Sequence, residues 1–305
     1  MLEQGEYAGI DTSYISVPKH DKMIYLGAYG FYQYHALHLP DRPNHMFTTR
    51  QHVTQEELEV GIDWRGLSIE LPIPIVNSYT SSYGLAKNGS VWGARIRYKA
   101  TDHMTGTIEE GAMSLPEPET IKDIERGQFD LKTFYVEGYY VFNHSRFCLA
   151  AGLYGDMIQR KSAGGFFVMA NYYQSRLGCN QMFDHYRDTF RNNKFSVGGG
   201  YGYNLSFSEG RLCLHASLIP MLSVVNRLTH KYYDEKNGDY REGSEVRNSR
   251  FTLNGFARLA ASYSINDRLL LNAFFNFRQY MFSNSSDLRI THQDADLQIN
   301  LGYRF

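Results

Sequence analysis

Glu59 and Asp63 lie four residues apart, and Arg95, Arg97 and Lys99 follow one another two apart. In an extended strand such even spacings put side chains on one face. The same alternation puts Glu70 on the strand after the first pair, and Glu137, His215, Arg258, Arg278 and Arg304 on the corresponding face of later strands. Acids and bases that face one enclosed space support two kinds of chemistry. They can pair into a salt-bridge network that fills the space, because charges withdrawn from water need partners. They can also set a transverse field across a constriction and select solutes. Both readings stay open; the expectation is a charged, largely filled lumen in a structural or accessory barrel or a narrow channel.

Signals for covalent chemistry are poorer. A nucleophile needs a base within hydrogen-bond reach and a third group to orient that base. His144 and Ser145 are neighbours in sequence, but neighbours on a strand point to opposite faces, and the pair falls in a short turn. His185 and His230 lie in long loops without an evident nucleophile, and no Gly-x-Ser-x-Gly occurs. No catalytic constellation emerges, so a non-enzyme is expected; a lipid-modifying hydrolase is the alternative. The stretch 227–249 holds His230, Asp234, Glu235, Asp239, Glu242 and Glu245, in a spacing that matches no calcium loop. It reads as a solvated loop, and Tyr232, Tyr233 and Tyr240 would suit a sugar or protein contact. Ser162-Ala163-Gly164-Gly165 lacks the lysine and helix of a phosphate cradle and reads as a tight bend. Cys148, Cys179 and Cys213 show neither metal spacing nor a disulfide framework. No cofactor is expected.

The elements that must position these charges are strands. At the C-terminus Leu297, Ile299, Leu301, Tyr303 and Phe305 alternate with Gln298, Asn300, Gly302 and Arg304. Such a period of two marks a strand with unlike faces. Leu269, Leu271, Ala273, Phe275 and Phe277 alternate likewise with Asn272, Asn276 and Arg278, and so do the segments 251–263, 212–224 and 195–207. The noisier N-terminal half predicts strands near 22–39, 50–64, 66–76, 77–86, 90–101, 131–142 and 163–176, which makes twelve. Pro72 and Pro74 make the third irregular. Segment 147–162 fits either a short strand or a plug. Short connections at 64–66, 87–89, 143–145, 208–211 and 266–267 alternate with long ones at 40–49, 102–130, 177–193 and 227–249.

Nothing amphipathic and helical is available to cover so many apolar faces. No run of eighteen apolar residues exists, so no helix is expected to cross a bilayer, and the mean hydropathy of −0.43 agrees. Barrel strands escape that test, since every second residue faces the lumen. The segments extend to about 12–16 residues, against roughly 5–6 in globular sheets; a tilted strand needs about 9–11 residues within lipid. With 24 Tyr, 19 Phe and 27 Gly, composition also favours strands. Trp64, Tyr83, Phe142, Phe207, Tyr263 and Phe305 fall on outward faces near the short-turn ends, as an interfacial aromatic girdle would.

The expectation is an all-β fold: one closed antiparallel transmembrane barrel over 22–305, with short periplasmic turns and long extracellular loops, in a Gram-negative outer membrane. Residues 1–21 would form an N-terminal periplasmic segment. Its start, MLEQGEYAG, is not a signal peptide; a barrel needs one to leave the cytoplasm, and its removal is expected. Outer-membrane lipid would surround the wall, and barrel-assembly machinery would take the C-terminal strand ending at Phe305. The long loops offer a surface to protein or glycan. A net charge of −1 gives no general pull toward nucleic acid. A soluble barrel that binds a small apolar ligand is a third reading.

Three stretches carry a family resemblance: Asp11-Thr-Ser-Tyr-Ile15, Tyr139-Tyr-Val-Phe-Asn-His-Ser-Arg-Phe147 and Gln159-Arg-Lys-Ser-Ala-Gly-Gly-Phe166. In order and spacing they resemble the family called domain of unknown function 4421, found mainly in Bacteroidota. Cys148-Leu149-Ala150-Ala151 departs from the aromatic-Pro-Ala-Ala run expected there. The resemblance implies an outer-membrane barrel and carries over no activity, ligand or catalytic residue.

Overall fold

The computed structural model describes residues 9–42, 45–73, 80–101, 104–112, 120–125, 127–180, 187–234, 241–249, 251–283 and 289–305. Seventeen strands run in chain order: β1 (Ile15–Ser16), β2 (Lys22–Arg42), β3 (His45–Trp64), β4 (Leu67–Ile73), β5 (Thr80–Lys87), β6 (Trp92–Thr101), β7 (Thr105–Ala112), β8 (Thr120–Asp123), β9 (Phe129–Val141), β10 (Ile158–Gln159), β11 (Ala163–Asn180), β12 (Arg187–Phe207), β13 (Leu212–Asp234), β14 (Arg241–Asn248), β15 (Thr252–Ser264), β16 (Leu269–Ser283) and β17 (Arg289–Arg304). The one α-helix among the described residues, α1 (Leu149–Leu153), lies between β9 and β10.

Twelve strands pair antiparallel in the order β2-β17-β16-β15-β13-β12-β11-β9-β6-β5-β4-β3, and β3 returns to β2. Pairing Lys22 with Trp64 and Arg304 with Met23 closes the cylinder, so it has no free edge at the level of the wall. These are the twelve strands that alternation predicts.

Tight turns set the register where the hydrophobic pattern demands it. Arg65 and Gly66, both with positive φ (54° and 75°), make the two-residue turn of the β3–β4 hairpin. A Cβ on Gly66 would come within 2.1 Å of the Asn88 carbonyl oxygen, so glycine is required there for space as well as for φ. The Asn266 side-chain oxygen accepts from the Arg268 and Leu269 amides, both at 2.8 Å, and fixes the β15–β16 turn. Pro72 sits opposite Glu59 on β3, two residues beyond the last pairing of β4 with β5; Pro74 lies outside the described residues. Register shifts between Phe195 and Ser196, where β13 bulges and Val224 and Val225 are both exposed, and again in the β2–β3 pair between Pro40 and Arg42.

The long connections are more ordered than expected. Strands β2 and β3 run on through most of 40–49, and β11 and β12 through much of 177–193. His230 lies on β13, not in a loop, and β14 pairs with that extension. Within 102–130, β7 pairs with β3 and β8 with β7. In these extensions the outward face turns polar while inward residues such as Leu177, Cys179 and Phe190 stay buried, so the apolar phase reverses and the pattern that marked the strands is lost although the backbone stays paired.

Leu297, Ile299 and Leu301 remain 46–50% exposed, and similar residues ring the whole wall. No described helix or second sheet covers them. Leaving one such side chain in water forgoes about 1.5–3 kcal/mol, and a contiguous apolar surface of this size requires lipid or an equivalent.

Candidate functional site

The inward faces build a filled interior in three layers. The middle layer is ionic. Glu70 on β4 accepts from Arg95 at 2.9 Å and Arg97 at 2.5 Å, both reaching across from β6. Asp296 on β17 accepts from Lys99 at 2.7 Å and the Tyr29 hydroxyl at 2.6 Å, and pairs with Arg278. Arg258 on β15 crosses the lumen to Glu137 on β9, which also accepts from the Tyr135 hydroxyl. Asp294 accepts from the Gln33 amide at 2.6 Å, and Glu59 from the Gln298 amide at 2.9 Å. Aromatic faces back the cations: the Arg97 guanidinium lies 4.7 Å from the Tyr29 ring centre, and that of Arg278 lies 4.9 Å from Tyr135.

The structure therefore brings Glu59, Glu70, Arg95, Arg97, Lys99, Glu137, Arg258 and Arg278 onto one lining, all buried. Asp63 is also inward and buried, but stands nearer the short-turn end, where one oxygen accepts from the Gly66 amide at 3.2 Å. His215 bonds Asn204, and Arg304 donates to the Gly155 carbonyl at 2.6 Å. Sequence reasoning missed Asp294 and Asp296, whose carboxylates accept from several of these bases. Their signal was available, since both continue the inward phase of Gln298 and Asn300 on β17. The six aromatic residues Trp64, Tyr83, Phe142, Phe207, Tyr263 and Phe305 are all outward and exposed.

The second layer closes the short-turn end. Segment 147–162, which fitted a strand or a plug, enters the lumen as α1 followed by β10. Five residues are too few for a helix to stand alone, and all five are buried. The wall holds them: Asn204 donates to the Cys148 carbonyl at 2.8 Å, and Asn272 to the Leu153 carbonyl at 3.1 Å. Cys148 caps the helix, its sulfur accepting from the Ala151 amide at 3.4 Å, and burial pushes its thiol up to about 12. Phe147 packs on His215, with rings stacked 6.3 Å apart. β10 pairs with β1, and the Asp11 amide donates to the Ser145 carbonyl at 2.9 Å, so the described part of the N-terminal segment lies against the plug.

Two small cavities flank this plug. One of 40 Å³ borders Pro18, His20, Asp63 and Asp156; the other, of 30 Å³, borders Asp63, Glu70, Tyr154 and Asp156. Each has room for only a few waters. The third layer, toward the long loops, is apolar: Phe31, Leu37, Phe129, Leu131, Leu177, Phe190, Leu228, Phe282 and Ile290 pack with Met104, Ile108 and Ile124 from the 102–130 connection. That connection therefore contributes to the stopper.

Asp156 offers a test of the plug. Burial raises its pKa to about 6; the Asn88 side chain, which donates to it at 2.7 Å, and the charges of Arg304 and Arg95 oppose that shift, while Glu70 adds to it. Asp63 lines both cavities with it. An acid whose folded pKa exceeds its unfolded value of 3.8 favours folding in its protonated form. Stability is therefore lost as pH rises from 3.8 through about 6, by on the order of 3 kcal/mol. Asp156→Asn should gain on the wild type in detergent unfolding midpoints at pH 8 relative to pH 4. An advantage that does not change with pH would refute the assignment.

Among the described residues few groups are placed for catalysis. His144 and Ser145 sit in the turn after β9; His185 lies outside the described residues. His230 Nε2 lies 2.7 Å from Asp188 Oδ1, and its ring stacks on Phe190 at 4.3 Å. That pair is on the inward face, where a lipid ester in the surrounding bilayer would not reach it. Among the described residues no group of three or more His, Cys, Asp or Glu side chains is placed to hold a metal. The three cysteines are buried and free, and Ser162 joins β11 to β12, its hydroxyl accepting from the Ser206 amide at 3.0 Å.

Comparison with known proteins agrees with this architecture. The family described as Domain of unknown function (DUF4421) matches residues 9–305. The outer membrane protease OmpT from Escherichia coli is similar in structure, at 8% identity and a TM-score of 0.53, covering 95% of this chain and 98% of that one. The translocator domain of the autotransporter NalP from Neisseria meningitidis gives 11% identity and a TM-score of 0.35, over 94% and 90% of the two chains. At 8% identity the likeness to the protease speaks for the fold alone. No curated protein matches the chain.

Proposed function

The chain belongs to the DUF4421 family, and on that premise we propose that it is a sealed, non-enzymatic barrel of the outer membrane. It serves as a structural or accessory component whose two ends make its contacts. One observation carries this reading: ion pairs such as Arg258–Glu137 span the lumen between a buried helix at one end and an apolar stopper at the other. A conducting pore needs a continuous wet path, whereas paired charges and packed rings hold this interior shut. The barrel-assembly machinery would engage β17 through its outward face ending at Phe305, and the extended hairpins at the long-loop end would meet a protein or glycan partner.

The membrane assignment predicts that the folded chain migrates differently in cold detergent gels before and after heating. The sealed lumen predicts no discrete current steps when the purified barrel is inserted into planar bilayers. Reproducible single-channel openings by the wild-type chain would overturn the sealed reading and restore the narrow-channel alternative. The hydrolase alternative would require an esterase activity lost on substitution of His230.

A further inference from the structure

Three bases stand directly opposite one another on the outer wall. Lys132 on β9 pairs with Arg176 on β11, and Arg176 pairs with Arg191 on β12. Arg227 on β13 joins them one outward position lower, opposite Asn193. All four are exposed. Like charges directly opposite on adjacent strands destabilise a sheet. No described acid lies within ion-pair distance of any of them; Arg191 rests its Nε 2.8 Å from the Gln174 amide, a neutral partner. Asp130, the next outward residue up β9, lies over Gly178 and forms no ion pair with the four. Elsewhere on the wall the protein does pair such charges, as Arg50 does with Glu109 at 2.8 Å.

Height gives the row its meaning. Lys132 lies ten residues up β9 from Phe142 at the short-turn end. At a rise of about 3.3 Å per residue and a tilt of about 40°, that is roughly 25 Å, the height of the apolar band on such barrels. Below the row the outward side chains are first Phe134, the bonded pair Gln174 and Asn193, and Val225, then Tyr172 and Phe195. Phe134 and Tyr172 meet edge to face at 6.4 Å, and the Tyr172 hydroxyl donates to Asn193 at 3.1 Å. Bases thus sit where headgroups would lie, above rings placed for acyl chains.

Resting on the outer-membrane reading, we propose that this face of β9, β11, β12 and β13 binds the phosphorylated headgroup of a glycolipid in the outer leaflet. Phosphate oxygens would accept from Lys132, Arg176 and Arg191 together, turning mutual repulsion into shared attraction.

The probe is lipid A, presented to the full-length barrel in phosphatidylcholine nanodiscs. The wild type should retain it, and dephosphorylated lipid A should bind no better than phosphatidylcholine. Neutralising a base near an anionic surface weakens binding about fivefold, so the triple variant Lys132→Gln, Arg176→Gln, Arg191→Gln should lose about a hundredfold. Arg289→Gln, which removes an outward base on β17, should bind as the wild type does. Retention by the triple variant within twofold of the wild type would overturn the proposal. So would an equal loss in Arg289→Gln, or displacement by millimolar inorganic phosphate, which marks a site for soluble anions. Heat-dependent gel migration is read on the same samples. If it is absent from the wild type, the membrane reading fails; if it is present while lipid A retention ignores the row, the lipid site alone fails.

Discussion

Asp296→Ala should destabilise the barrel by about 3–5 kcal/mol, the cost of breaking a buried ion pair by removing one partner. The Asp296 carboxylate is 1% exposed and accepts from Lys99, Arg278 and the Tyr29 hydroxyl together. Truncation leaves two buried cations with Asp294, ring faces and the more distant charges of Glu57 and Glu137. The loss comes from the orphaned cations more than from the missing attraction. Replacing the whole set with apolar groups of similar volume (Asp296→Leu, Lys99→Met, Arg278→Met, Tyr29→Phe) should therefore recover most of the stability. The measurement is the temperature at which the compact gel band is lost, together with denaturant midpoints in detergent. A loss below about 1 kcal/mol in Asp296→Ala would show that water, not Asp296, solvates these cations.

Phe147→Ala should cost about 3–5 kcal/mol locally, as truncation of a fully buried aromatic ring does, and should release the plug without opening the wall. Phe147 is 0% exposed. Its ring fits only because the wall is flat there: a Cβ on Gly165 or on Gly202 would lie 2.8 Å from it. Gly202→Ala should thus push the same ring off the wall and mimic the truncation. Hydrogen exchange reads the result, since the amides of α1 should lose protection while those of β12 and β13 keep theirs. Unchanged protection in α1 would mean that the bonds from Asn204 and Asn272 hold the helix without the ring.

Strand count, strand direction and the inward or outward phase of most residues were legible in the sequence. Lipid on one side and an enclosed polar interior on the other impose a strict period of two, as Leu297 to Phe305 shows. The charges from Glu59 to Arg278 followed from that phase. Asp294 and Asp296 were missed because the pattern was not carried upstream past Leu297. The hairpin extensions were read as loops because the apolar phase switches there from the outward face to the inward one, as Leu177 and Phe190 beside exposed Arg176 and Arg191 show.

Residue order alone determined that the wall alternates, since side-chain phase is a property of neighbours along the chain. Which acid meets which base, and whether the lumen is open, depended on strands far apart in sequence, such as β9 facing β15. Local patterning holds no information about that distance. Segment 147–162 shows the same limit: five residues, mostly good helix formers but too few to stand alone, hold as a helix only because Asn204, Asn272 and the flat glycine wall receive them.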